Sequence, residues 1–567
     1  MQTIEPRGET EQNDGRPFEP GFDRGFDDED LAPRPFKPLR RGRVLLLLSV
    51  LTVLVLAAAL PPLINVNRYR RQIAVSIGRS LGRPVHIDAV TLNLLPQPGF
   101  TLQNFVVTED PEYGAEPVVR ANVVRATLRV RSLWQRRVEF SRIALDEPSL
   151  NLVHRPDGRW NVENILLQAS RMPAAPTAQK GAGDSPRFPY IEATGARVNV
   201  KMGLEKMPLS LTEAKFALWL SQPEQWQLRL EGHPTRTDAR PADTGTLRLE
   251  GTLGRAASLA AVPLDLHGEW RNAPLGGVSL VLLGRDAGLR GDMTLTASVR
   301  GTAGANTAES RLELHQVRRA DFVPVHLLDV DLRCRAQATQ LFHALTRVEC
   351  GWPPQSSTNG MLLSAEVPET TKPDQATGTI TIKSVAASAL LDGARVLTSR
   401  LAPDLHAEGA LDGRLERQPV RGSRKIDTVG ELTIAKASLI DGHHTEFVHG
   451  DVAMQVSGDG LTLRPLALNL GGVTPAMLEA HADLGGYRLH VSGPATRKRL
   501  LALADAIPQF GDGLVSALPP APLPLPPAGV PEPTLRLDLT AVRPWRGGQV
   551  WMATPNAKPV HRVSRRR

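Results

Sequence analysis

Val124-Arg125-Ala126-Thr127-Leu128-Arg129-Val130-Arg131 alternates an aliphatic side chain with a polar or cationic one, residue by residue. A period of two belongs to an extended strand, whose successive side chains point to opposite faces. The segment is read as a strand with Arg125, Thr127, Arg129 and Arg131 in water and Val124, Ala126, Leu128 and Val130 turned from it. A parallel sheet covered by helices on both faces would give continuous apolar runs instead. The same alternation returns at Val90, Leu92 and Leu94, at Trp226, Leu228 and Leu230, at Val330, Leu332 and Cys334, at Val452, Met454 and Val456, and at Tyr487, Leu489 and Val491. The chain is strand-rich almost to its end, and the expected class is mostly β with a few helices.

Helical spacing is the exception. Tyr69, Ile73, Ile77 and Leu81 recur every four residues until Gly82 and Arg83-Pro84 stop the pattern, which predicts a short amphipathic helix leading into the sheet. Two further helices are expected over 161–171 and 495–507, the second with Leu500, Leu503, Ala504 and Ile507 as its apolar stripe. Residues 172–186 read as a linker, and 519–533 are proline-dense enough to be extended and unpaired.

Residues 44–60 are apolar apart from Ser49 and Thr52, and with Pro61, Pro62, Leu63 and Ile64 the run approaches the roughly 20 residues that cross a hydrocarbon core. A cleavable signal peptide is the rival reading, since Ala57, Ala58 and Ala59 supply small residues, but the long charged leader fits it poorly. Arg34, Lys37, Arg40, Arg41 and Arg43 precede the run and Arg68, Arg70 and Arg71 follow it, a balance that places the N-terminus in the cytoplasm and exports the rest.

At 567 residues the chain suffices for roughly three to five units. Its 41% hydrophobic content includes only 4% aromatics, beside 48 Gly and 47 Pro, so the apolar surface is aliphatic and turns are frequent. The net charge of +8 hides an acidic start and a basic end at Arg562, Arg565, Arg566 and Arg567, read as solvated tails. No basic patch interleaves with aromatics, so nucleic acid is not an expected partner. The two cysteines, Cys334 and Cys350, form no CxxC pair; they suit a disulfide in an oxidising compartment or two buried thiols.

No phosphate-binding GxxxxGK[ST], HExxH or strand-to-helix GxGxxG is present, so neither catalysis nor a cofactor is expected. Asp441-Gly442-His443-His444-Thr445-Glu446-Phe447-Val448-His449 offers metal-ligand types, but on a strand His443 and His449 would face away from His444, and Asp441-Gly442 marks a turn. A solvated hairpin, with no metal, is the expectation.

Behind the apolar run, Leu81-Gly82-Arg83-Pro84-Val85, Leu94-Leu95-Pro96-Gln97-Pro98-Gly99-Phe100, Glu109-Asp110-Pro111, Leu145-Asp146-Glu147-Pro148-Ser149-Leu150-Asn151-Leu152 and Asp157-Gly158-Arg159-Trp160-Asn161 follow in an order that resembles the N-terminal part of the AsmA family. Residues 426–513 resemble the later AsmA repeat, strands followed by a Leu/Ala-rich helix. The resemblance implies a bacterial inner-membrane protein with a periplasmic body similar to bridge-like lipid-transfer proteins: an elongated, curved, repeat-built antiparallel sheet forming an apolar groove. It further implies a role in outer-membrane biogenesis through phospholipid; the alternative is a scaffold or regulator of outer-membrane protein assembly acting through contacts with other envelope proteins.

The division expected is a disordered cytoplasmic tail at 1–43, a membrane helix at 44–64, an AsmA-like β domain at 65–171, a linker at 172–187, a β-rich middle at 188–425, a C-terminal β repeat with helix at 426–515, and a disordered Pro-rich and basic tail at 516–567. Val124, Ala126, Leu128 and Val130 are the candidate groove wall. About 20 to 25 strands at roughly 4.8 Å would reach about 100 Å.

Overall fold

The computed structural model describes residues 66–95, 97–131, 139–165, 189–203, 205–222, 225–256, 258–322, 327–353, 359–398, 401–420, 426–511 and 532–544, with positions 45, 46, 48–53, 55, 514 and 518. The chain divides into two compact units, Met1–Leu60 and Pro61–Arg567. In the first, the described positions are helical, and Leu45, Leu46, Leu51 and Val53 are exposed. Ser49 and Thr52 donate their hydroxyls to the carbonyls of Leu46 and Leu48 at 2.9 and 2.8 Å, so the helix satisfies its own polar side chains. No helix among the described residues is long and apolar enough to cross a membrane; the remainder of the span expected at 44–64, like the linker at 172–187, lies outside them.

Among the described residues, the strands of the second unit form one sheet of 24. The unit begins with helix α1 (Arg70–Leu81), which ends where Gly82 takes a left-handed φ of 67°. There follow β1 (Val85–His86), β2 (Ala89–Asn93), β3 (Gly99–Val107), β4 (Val119–Leu128), β5 (Phe140–Asp146) and β6 (Ser149–His154). Next come β7 (Tyr190–Met202), β8 (Glu205–Gln222), β9 (Gln225–Arg236), β10 (Thr246–Gly254), β11 (Pro263–Pro274) and helix α2 (Leu275–Leu283). A third run holds β12 (Leu289–Thr302), β13 (Ala305–Arg319), β14 (Leu328–Thr339), β15 (Ala344–Trp352), β16 (Gly360–Val367), β17 (Thr377–Ala386) and helix α3 (Ala387–Leu397). The last holds β18 (His406–Pro419), β19 (Ile426–Ile440), β20 (Glu446–Ser457), β21 (Gly460–Leu468), β22 (Ala476–Ala482), β23 (Gly486–Thr496), helix α4 (Arg497–Ala506) and β24 (Thr534–Pro544).

From β7 to β24 each strand pairs antiparallel with the next. The all-antiparallel expectation needs one correction: β5 and β6, end to end beside β4, both run parallel to β7. The crossover from His154 to Tyr190 is long enough to return the chain to the starting end, as a parallel pair requires. The boundary expected at 425/426 falls between β18 and β19, which pair along their length, so the sheet is continuous there. A second correction concerns the tail at 516–567. Leu535, Leu537 and Leu539 alternate with Arg536, Asp538 and Thr540, and 534–544 form β24, in full register with β23 from Thr496↔Thr534 to Gly486↔Pro544.

Near the strand ends from which helices spring, Asn272, Gln316, Ser384 and Lys436 sit in β-bulges with φ of 46° to 54°, and the residue after each, Ala273, Val317, Val385 or Ala437, is buried. Left-handed backbone costs a non-glycine residue roughly 1–2 kcal/mol. Three of the bulges carry the same compensation: the amides of Gln316, Ser384 and Lys436 donate to Oδ1 of Asp329, Asp412 and Asp451 on the next strand, at 2.8, 2.9 and 2.9 Å. A charge-assisted bond of this kind offsets the strain and fixes where the strand bends. Asp412→Ala should therefore lower stability to urea by about 1 kcal/mol and speed hydrogen exchange at the Ser384 amide. Ser384→Gly, which removes the strain and keeps the acceptor, should be neutral or stabilising.

Candidate functional site

The register places apolar residues opposite one another across the sheet. One row, read strand by strand from β2, is Val90, Leu102, Val124, Leu145, Ala193, Phe216, Leu230, Leu249, Gly268 and Ala297. It continues through Ser310, Cys334, Cys350, Leu363, Ile380, Leu415, Gly430, Val456, Leu461, Ala482 and Tyr487, and meets a charge only at Arg543 on β24. Cys334 and Cys350, directly opposed with Cα atoms 4.0 Å apart, are joined as a disulfide within this row. A parallel row on the same face runs Ile191, Leu218, Leu228, Gly251, Leu266, Val299 and Ala308. At roughly 4.8 Å per strand the apolar stripe extends about 100 Å along the sheet.

One residue along each strand the chemistry inverts. The opposite face reads Arg125, Ala144, Glu192, Ala217, Arg229, Glu250, His267, Ser298, Glu309, Arg335 and Glu349 across the same strands. Ion pairs such as Arg125–Asp146 at 2.8 Å, Arg229–Glu250 at 3.7 Å and Arg335–Glu309 at 3.5 Å tie neighbouring strands. Exposed pairs of this sort contribute little to stability but mark the face as wet. Two bonds from the Arg311 guanidinium, at 2.9 and 2.7 Å, hold the Asp331 carboxyl below the usual carboxylate range. A hollow of about 540 Å³ between Asp412, Arg414, Glu416 and Glu431 also lies on this charged side.

The helices pack on the apolar face. Ile73, Ala74, Ile77 and Leu81 of α1 lie against Val90, Leu102 and Val124. Leu275 and Val278 of α2, with Val396 of α3, meet Met293, Leu295, Leu312 and Leu314. Leu500 and Leu503 of α4 close a cluster around Phe447, Leu468, Ala476 and Val491. Leu218, Leu228, Leu266 and Val299 stay outside these helix-packed clusters and are half-buried. Of the expected wall residues, Val124 lies beneath α1, and Ala126 and Leu128 are buried on the apolar face. Val130 is not on that face. β4 ends at Leu128, the Arg129 amide bonds the Glu139 carbonyl at 2.8 Å, and Val130 is exposed beyond it.

Four of the five N-terminal stretches of the resemblance contribute a residue to one buried polar cluster. Arg83 pairs with Glu109 and Asp110 at 3.6 and 3.1 Å, and Glu109 accepts from the amide of Asn161, which is wholly buried. Asn161 also donates to the Asn151 carbonyl at 2.9 Å and accepts from the Val153 amide at 2.9 Å, and Asn151 continues to Asn199 at 3.0 Å and from there to Ser210 at 2.9 Å. Tyr113, its phenol pushed up by burial, lies against the Arg83 and Arg155 guanidiniums. Every member is spent on a structural bond, which makes the cluster a clasp for the start of the sheet rather than a reaction centre.

The decoys resolve similarly. The Asp441 carboxylate accepts from the His443 and Thr445 amides at 3.0 and 2.7 Å, and His443, His444 and His449 are exposed. No group of three or more His, Cys, Asp or Glu among the described residues is placed to hold a metal ion. The expectation from sequence that no GxSxG elbow is present needs a correction: Gly78-Arg79-Ser80-Leu81-Gly82 has that spacing, but it occupies the last turn and cap of α1, where no strand enters a helix. Asn161→Ala removes one partner of the Glu109 carboxylate and the acceptor of the Val153 amide, and should cost about 3 kcal/mol in unfolding free energy, read as a lowered midpoint in urea.

No curated protein and no solved structure matches this chain. Residues 39–190 match the model described as AsmA family, a stretch that runs through α1 and the Arg83–Asn161 clasp to the first residue of β7. This N-terminal portion of the chain is thus similar to the AsmA family.

Proposed function

We propose that the chain is a non-enzymatic phospholipid carrier of the bacterial envelope, anchored in the inner membrane by residues 44–64 with a cytoplasmic N-terminus and a periplasmic body, and serving outer-membrane biogenesis. The observation that carries this reading is the apolar row from Val90 to Tyr487, unbroken by charge across a sheet whose other face is ionic. An acyl chain laid along such a stripe gains about 0.8 kcal/mol per buried methylene. Half-buried leucines outside the helix-packed clusters are the surface it would cover. The Cys334–Cys350 bridge suits an oxidising compartment, as the periplasm is. The similarity to the AsmA family agrees with an envelope setting.

Full-length protein extracted in mild detergent should release phospholipid on organic extraction, detected by mass spectrometry. Leu266→Asp, on the open stripe, should cut that lipid several-fold with little change in melting temperature. Val278→Asp, between α2 and the sheet, should instead destabilise the fold by several kcal/mol. Lipid-free wild-type protein would overturn the reading and leave a scaffold acting through protein contacts. Cooperative unfolding of Leu266→Asp would place that residue in a closed core.

A further inference from the structure

We infer that the outer edge of β24 is a docking edge for a second copy of this chain. The two edges of the sheet are built differently. At the first, β1 and β2 are 2 and 5 residues long and share β3 between them, so the edge is broken. At the last, β24 runs 11 residues without a register shift against β23, and no described strand pairs with its other side. Its outward N–H and C=O groups form a regular template of the kind that recruits another strand unless charge, proline or a bulge blunts it.

The side chains select the occupant. Arg536 and Asp538 point to the ionic face and are exposed, Asp538 held by His490 at 3.1 Å, while Leu535, Leu537 and Leu539 point to the apolar face. Two copies of β24 pair antiparallel about a twofold axis normal to the sheet, and such an axis keeps like faces together. With Leu537 opposite itself, Arg536 faces Asp538 of the second copy, Asp538 faces its Arg536, and Leu535 faces Leu539. Sliding the pairing one step either way sets Arg536 against Arg536 or Asp538 against Asp538. The sequence thus favours one self-complementary register and penalises its neighbours, as cross-strand charges do. In that register the apolar stripes of the two copies join into one face.

Sedimentation of the full-length protein in detergent, over a concentration series, tests this independently of whether lipid is carried. Wild type should reach twice the chain mass. Arg536→Asp and Asp538→Arg should each raise the dimer dissociation constant by roughly tenfold or more. The double variant R536D/D538R, which restores opposite charges in the same register, should return to the dimer. A wild type of single-chain mass at every concentration, single variants that dimerise unchanged, or a double variant that stays single would each overturn the proposal.

Discussion

A sheet with aliphatic side chains on one face and ion pairs on the other must keep the first face from water, and this requirement organises the rest of the second unit. Neither usual solution is complete. Among the described residues the strands form a single hydrogen-bonded sheet, and the helix-packed clusters take in only part of the stripe. The cost of leaving aliphatic surface in water, about 25 cal/mol per Å², grows with every strand added. On the proposed function, an acyl chain along the stripe would remove that cost.

The bulges and the helices belong to one device. At Ala273, Val385 and Ala495 the next-to-last residue of a strand is buried, and after one more residue the chain turns into α2, α3 or α4, which pack on the apolar face. The bulges beside Gln316 and Ser384, each held by a carboxylate on the adjoining strand, bend the sheet near the helix-packed ends. The Arg83–Asn161 clasp does comparable work at the beginning, tying the loops after β3 and β6 to the mouth of α1. The clasp lies within the stretch that resembles the AsmA family, so that resemblance bears on how the sheet is started and says nothing directly about what its apolar face holds.

Much of this architecture was legible in the alternation of residue types. Trp226, Leu228 and Leu230 stand on one face, as do Val452, Met454 and Val456, because period two is fixed by strand geometry. The helix over Arg70–Leu81 and its stop at Gly82 were equally readable, from spacing and a cap. What sequence reasoning missed depends on long-range pairing. Asn272, Ser384 and Lys436 look like ordinary strand residues, and only the register with neighbouring strands reveals their bulges. β24 was hidden by the prolines before it, although Leu535, Leu537 and Leu539 alternate as plainly as any earlier strand. The continuity of the apolar row required every register between β2 and β24, which no local pattern supplies.

A photo-crosslinking side chain placed at successive positions along the row, with lipid adducts scored in cells, tests that continuity. Leu218, Leu230, Leu363, Leu415 and Leu489, outside the helix-packed clusters, sample the apolar face from β8 to β23. Glu192, Glu309 and Glu416 sample the opposite face over the same span of the sheet. The account predicts lipid adducts at the apolar positions along the sheet and none at the ionic ones. Adducts confined to one end, or equal on both faces, would contradict a continuous apolar path.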